Sequence, residues 1–324
     1  MRLRWRGAGG AGAAGAAGRG GQSEEKTRSV AATAALRAAS LLGGGVPSAR
    51  VWRVLGEEPG APDELADIAG RIAAGQSSEA ALAAVGDPEW RVLAAAWSLA
   101  MQSGAPIART LDRIAEALVS LERVGNRRSV LLAGPRATVR LVSALPLVAM
   151  LFGAILGFDP IAVMLSPAGA VLGVLGGVLL LVGVRWAKLL TDRLAAAEWV
   201  SGLECELCWI ALSGGASQQA ALRDVADRAD AFAVTWVRLG TLRRDGAVQQ
   251  VLRAATAHGT PAGSMLLVEA AAARARTLAE LERQAERLAV SVLLPIGVCV
   301  LPSFIVLGVL PVLLAVMGSL GPIS

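Results

Sequence analysis

The chain has 324 residues and a formal net charge of +5, with 54% hydrophobic and only 18% charged residues. Its mean hydropathy of +0.56 excludes an ordinary soluble globule, in which charged residues make up about 25%. The basic balance does not indicate nucleic-acid binding, because many of the Arg and Lys residues flank long apolar runs. The chain also has no Tyr and only 4 Phe on which bases could stack.

Residues 1–29 are predicted to be a disordered tail. The stretch GAGGAGAAGAAGRGG has no hydrophobic periodicity and too little side-chain bulk to bury a core. It also lacks the leucine-rich centre of a signal peptide.

Residues 30–135 are predicted to form an all-helical bundle. Glycines end short Ala- and Leu-rich stretches, and Asp87-Pro88-Glu89 is a strong helix start signal. A long helix is predicted to follow Pro106. Its apolar residues recur at spacings of four and three, as on the packed face of a helix: Ile107, Leu111, Ile114, Leu118 and Leu121.

Three membrane spans are predicted. Asp159 is the only charged residue between Leu141 and Val184, and this stretch accommodates two spans at residues 141–157 and 168–186. No charge follows Leu288, and the third span is predicted at residues 288–317. Each segment is close to, or longer than, the roughly 17–25 residues that cross a bilayer, and we expect prolines in the third to kink it.

Residues 190–285 are predicted to form a second helical bundle that duplicates the first. The turn Leu42-x-Gly44-Gly45 parallels Leu212-x-Gly214-Gly215, and Ser103-Gly104-x-Pro106 parallels His258-Gly259-x-Pro261. Ordered agreement at several landmarks favours a bundle-plus-span unit used twice over coincidence in Ala-rich helices.

The flanking charges predict the orientation. Arg136 and Arg140 precede the first span, Arg185 and Lys188 lie at the end of the second, and Arg287 precedes the third. By the positive-inside rule, both bundles are expected in the cytoplasm and the C-terminus outside the plasma membrane.

No catalytic, cofactor-binding or metal-binding residue is predicted. Cys205 and Cys208 form a C-x-x-C pair, but a zinc site needs about four ligands, and packing on one helical turn is the favoured interpretation over a metal or redox role. His258 is interpreted as a surface turn residue and Asp159 as an external loop residue. The acidic pair of Asp224 and Asp227 is assigned to a solvated helix face, because it lacks catalytic partners.

The order bundle, span, span, bundle, span resembles the F-type inner-membrane platform proteins of type II secretion and type IV pilus systems. The resemblance lies in the turn-and-helix segments GGGVPSARVW, LSGGASQQAAL, QSGAPIARTLDRIAEAL and HGTPAGSMLLVEAAA, and the membrane segments look like the Tad/Flp pilus branch. Many relatives carry a Glu before the later Ser-Gly turn. Gln102 and Ala257 stand there in this chain, so no role for that acid is carried over.

The resemblance implies a non-enzymatic platform without cofactors that couples a cytoplasmic secretion ATPase to the movement of pilin subunits. The implied partners are that ATPase, pilins, other platform subunits in a homo- or hetero-oligomer, and the lipid bilayer, but no nucleic acid. The alternative is a polytopic transporter or a membrane-bound enzyme. A transporter usually shows more spans and charged broken helices at midplane, and a membrane enzyme should show clustered His, Asp or Cys side chains.

Overall fold

The computed structural model describes residues 30–155, 166–196, 200–311 and 313–314. Across these ranges the chain consists of helices and short turns, without a strand, which confirms the predicted all-α class. The predicted tail at residues 1–29 and the loop that contains Asp159 lie outside the described residues.

The chain divides into two compact units. Unit 1 takes in the described residues of Met1–Val124 and Trp199–Thr277, and unit 2 takes in those of Gly125–Glu198 and Leu278–Ser324. Two helices begin in unit 1 and run on into unit 2 without a break in sequence.

Unit 1 is built mainly from short helices, most of which end at or beside a glycine, as the sequence predicts. They are α1 (Val30–Gly43), α2 (Ser48–Gly56), α3 (Asp63–Ala73), α4 (Ser78–Ala83), α5 (Pro88–Ser103), the start of α6 (Ile107–Ile155), α8 (Leu203–Ser213), α9 (Gln218–Ala231), a 3-10 turn (Leu239–Leu242), α10 (Ala247–His258) and the start of α11 (Ala262–Ser291).

Helix α5 lies at the centre of unit 1. Most of its residues are buried, and it packs against α4, α8 and α9. Trp97 on α5 meets Trp52 of α2 edge to face, with ring centroids 5.4 Å apart, an arrangement that aromatic pairs favour. Gly104 ends α5 with φ +74°, a left-handed conformation that glycine adopts without strain.

The two predicted bundles contribute to one hydrophobic core. Buried residues of α1 to α6 and of α8 to α11 belong to the same cluster, and α5 of the first stretch packs directly on α8 of the second. The boundaries at residues 30–135 and 190–285 stay predictions. The structure adds that neither stretch buries its apolar face alone within unit 1.

Unit 2 contains the apolar parts of three helices. They are the later residues of α6, the helix α7 (Pro167–Ala196), and the segment that continues α11 as far as Val309. All three are long and apolar enough to cross a membrane, which confirms the predicted number of spans among the described residues. Large apolar side chains such as Leu147 and Val174 are exposed on them, as lipid-facing positions require.

The last helix contains two π-helical segments, Ile296–Val300 and Ile305–Val309. Each ends two residues before a proline, Pro302 or Pro311. Proline has no backbone N–H and its ring crowds the carbonyl four residues earlier, so the helix widens locally. Two of the prolines in the predicted third span therefore lie beside wider turns of the helix.

Candidate functional site

A buried carboxylate in unit 1 contacts arginines from two different helices. Glu206, on α8, is 1% exposed. Its Oε1 atom accepts hydrogen bonds from Arg274 Nη2 on α11 at 3.0 Å and from Arg113 Nη2 on α6 at 3.4 Å. We call Arg113, Glu206 and Arg274 the ion triad. Charges of this kind are expensive to bury and persist only with partners of opposite sign.

The ion triad is incompletely satisfied. Glu206 Oε2, Arg113 Nε and Arg274 Nη1 are buried without a hydrogen-bond partner among the described residues. Burial raises the pKa of Glu206 above its ordinary value, while the charges of Arg113 and Arg274 oppose that rise. Removing either arginine therefore leaves a buried carboxylate with less compensation.

The ion triad connects the two helices that lead toward the spans. Arg113 lies on α6 and Arg274 on α11, and these are the helices whose later residues form the first and third apolar segments. Helix α8 carries the shared acceptor between them. A displacement of α8 within unit 1 would therefore act on both helices at once.

Further polar contacts surround the ion triad. Glu204, also on α8, accepts the backbone N–H of Arg238 at 2.8 Å. Arg113 additionally pairs with Glu116 at 2.6 Å, and Arg276 pairs with Glu269 along α11. These outer pairs are partly or largely exposed, so they contribute little stability compared with the buried triad.

Cys205 and Cys208 lie on either side of Glu206 on α8, and burial disfavours their thiolate forms. Both are free and buried. Burial raises the pKa of Cys205 to about 12 and also raises the pKa of Cys208. Since the thiolate is the form that attacks or binds metals, these pKa values support the packing interpretation. In the part of the chain that the structure describes, no group of three or more metal-type ligands occurs.

The other predicted candidates are not brought together. His258 is exposed at the end of α10, Asp227 is exposed on α9, and Asp224 is partly exposed there. Asp159 lies outside the described residues.

The duplicated turns meet inside unit 1. A Cβ atom on Gly214 would lie 2.3 Å from the Ser103 carbonyl oxygen and 2.5 Å from its Oγ. The equivalent Gly44 has only ordinary contacts with its own helix. Gly214, which the repeated sequence pattern predicts to be a helix stop, therefore has a second role. It allows close packing against the end of α5.

In unit 2, small residues of α7 allow the last helix to approach closely. Cβ atoms on Gly176 and Gly183 would lie 2.5 Å from Leu307 Cγ and 2.8 Å from Cys299 Cβ. The buried Ser303 hydroxyl donates to the Gly176 carbonyl at 2.9 Å. Close contact of this kind is the usual basis of helix association in lipid.

Sequence reasoning missed the ion triad. A usable signal existed at Glu206, which interrupts the apolar run around Leu203, Leu207 and Ile210. No comparable signal marked Arg274, which lies in an Ala- and Arg-rich stretch that reads as a solvated helix. Its partner lies 68 residues earlier, and only the tertiary fold brings the two together.

The comparison with known families gives one match. Residues 34–155 match the family described as Type II secretion system (T2SS), protein F. This segment begins within α1 and ends with α6, so it includes most of the first predicted bundle and the described part of the first predicted span. No curated protein matches the chain. Together with the three membrane-length helices, the match supports the resemblance to the type II secretion F-domain family and points to an inner-membrane protein.

Proposed function

We propose that the protein is a non-enzymatic inner-membrane platform subunit of a type II secretion or type IV pilus machine, of the Tad/Flp type. In this role it couples a cytoplasmic secretion ATPase to the movement of pilin subunits. The observation that carries the proposal is the protein F match over residues 34–155 in a chain with three helices of membrane-spanning length.

The helices of unit 1 support a coupling role. Helices α6 and α11 both begin in unit 1 and continue as apolar segments, and Glu206 bonds to both. A partner that shifts α8 relative to its neighbours would move both arginines together. The required energy would come from the ATPase, because the glycine-rich turn GGGVPSAR lacks the Gly-Lys-Ser/Thr ending of a nucleotide-binding loop.

The proposed orientation places unit 1 in the cytoplasm and the C-terminus outside. An alkaline phosphatase domain, which is active only outside the cytoplasm, should be active when fused after Ser324 and silent when inserted at Gly75 or Gly246. The cationic residues beside the spans give the physical reason. An active reporter at Gly75 together with a silent reporter at Ser324 would contradict the proposed orientation.

Deleting the gene tests the proposed role in the cell. Pili or secreted protein should disappear from the cell surface while the pilin is still synthesised and inserted in the membrane. Immunoblots of surface and total pilin measure both quantities, and a plasmid copy of the gene should restore surface pilin. Unchanged surface pili in the deletion strain would refute the proposal.

A further inference from the structure

We propose that four cations of unit 2, Arg136, Arg140, Arg185 and Lys188, form a binding site for the phosphate headgroup of an anionic phospholipid. We call them the boundary cations. All four are exposed and lie at the ends of the apolar segments of α6 and α7. The site is independent of the proposed role in secretion, because it requires only that these helices cross a membrane.

The boundary cations lie near the same end of two antiparallel helices. Arg128 Nη1 donates to the Ala195 carbonyl at 3.0 Å, which brings the end of α7 beside α6. At the other end, Ala149 of α6 and Gly176 of α7 both meet the last helix, at the neighbouring residues Gly308 and Leu307.

The rise per residue of an α-helix gives the positions of these charges along α6 and α7. From the bond between Arg128 and Ala195, Arg136 is about 12 Å along α6 and Lys188 is about 10 Å back along α7. Lys188 precedes Ala195 by seven residues, so the two residues lie on the same face of α7. Two like charges therefore lie at the same height on adjoining helices.

Among the described residues these charges have no acidic partner, in contrast to charges farther from the apolar segments. Arg127 pairs with Glu282 at 2.9 Å and Arg283 approaches Glu280 at 4.0 Å, whereas no ion pair to a boundary cation occurs among the described residues. The nearest acid along α7 is Asp192, one turn farther from the apolar segment. An external anion would relieve the repulsion among the boundary cations.

The surroundings favour a lipid over a free anion. Leu141 is 73% exposed next to Arg140, and Leu189 is 53% exposed next to Lys188. An anionic phospholipid offers a phosphate to the cations and an acyl chain to these apolar side chains in one molecule. Basic residues beside transmembrane helices commonly bind such headgroups.

Trp186, which lies between Arg185 and Ala187, provides a local probe. It is 39% exposed, so bromine atoms on a neighbouring acyl chain should quench its fluorescence. The full chain is reconstituted in phosphatidylcholine vesicles that contain a small fraction of either dibromo-phosphatidylglycerol or dibromo-phosphatidylcholine. A Trp186→Phe variant gives the signal of the remaining tryptophans.

We expect phosphatidylglycerol to reach half-maximal quenching at a lower mole fraction than phosphatidylcholine. The difference should be about fivefold if one cation contacts the headgroup and about twenty-five-fold if two do. Replacing all four boundary cations with Gln should abolish the difference and leave quenching by phosphatidylcholine unchanged. Replacing Arg136, Arg140 and Arg185 with Lys should preserve it.

Two controls distinguish the site from other sources of binding. An Arg243→Gln and Arg244→Gln variant removes two exposed cations of unit 1 and should keep the preference. Inorganic phosphate at constant ionic strength should not compete.

If the four-Gln variant fails to insert, the Arg136→Gln/Arg140→Gln and Arg185→Gln/Lys188→Gln pairs should each reduce the preference. Equal quenching by both lipids in the wild-type protein, an unchanged preference in these variants, or full competition by phosphate would overturn the proposal.

Discussion

Replacing Glu206 with Ala should destabilise unit 1 by about 3 kcal/mol, because it leaves two partly buried arginines without their shared acceptor. Arg274 is only 14% exposed at its side chain and would lose the one ion-pair partner that it has among the described residues. The estimate lies at the low end for a broken buried pair, since the Arg113 side chain is 27% exposed and keeps contact with water and with Glu116. Urea unfolding in detergent, followed by tryptophan fluorescence, measures the loss.

A Glu206→Gln variant separates charge from shape. Gln keeps the volume and one acceptor oxygen, so its cost should be well below that of Ala. Replacing the exposed Glu116 with Ala serves as a matched control, because this residue pairs with the same Arg113 at the surface, where ion pairs contribute about 0–1 kcal/mol. Equal losses for Glu206→Ala and Glu116→Ala would contradict a structural role for the ion triad.

The ion triad also predicts a pH dependence. In an Arg274→Met variant the pKa of Glu206, already raised by burial, should rise further because an opposing charge is lost. The folded state then binds the proton more tightly than the unfolded state, in which Glu has a pKa of about 4.3. Stability should therefore increase as the pH falls from 8 to 5, more steeply than in the wild type. Adding Glu206→Gln should remove the extra slope.

A Gly176→Leu substitution should disrupt unit 2, because a Cβ atom at this position would lie 2.5 Å from Leu307 Cγ and 3.1 Å from Val306 Cγ1. The added side chain must separate α7 from the last helix and break the bond from Ser303 to the Gly176 carbonyl. Overpacking of this kind costs about 1–3 kcal/mol. The fraction of protein that stays monodisperse after heating in detergent measures the effect.

The neighbouring glycine provides the control for this prediction. A Cβ atom on Gly177 would meet nothing within 4 Å, so Gly177→Leu adds the same side chain to the same helix without a clash. Exchanging the volumes in a Gly176→Leu/Leu307→Gly double variant should restore part of the lost stability. If Gly176→Leu and Gly177→Leu behave alike, the close approach of the two helices is wrong.

Much of the fold could be predicted from local sequence signals. Glycine and proline turns gave helix limits close to those observed, such as Pro88–Ser103 for the helix predicted to start at Asp87-Pro88-Glu89. The lengths of the segments without charged residues predicted the number of membrane-length helices. These signals are local, because each depends on residues within one helix or one turn.

The ion triad and the shared core of unit 1 could not be predicted in the same way. Arg113 and Glu206 are 93 residues apart, and no periodicity within α6 or α8 specifies that they meet. The Gly214 turn was identified, but its contact with Ser103 depends on how α5 and α8 pack. Sequence patterns indicate which face of a helix is apolar, whereas tertiary packing decides which helix covers that face.

Co-purification from native membranes tests the proposed function most directly. The full-length, affinity-tagged protein, solubilised in mild detergent, should retain a hexameric secretion ATPase, and the retained amount should fall in the Glu206→Ala variant if unit 1 is the docking part. After the ATPase is washed away, the protein alone should hydrolyse no ATP. ATP hydrolysis by the isolated protein, or the absence of any secretion ATPase from the wild-type complex, would contradict a platform that takes its energy from a partner.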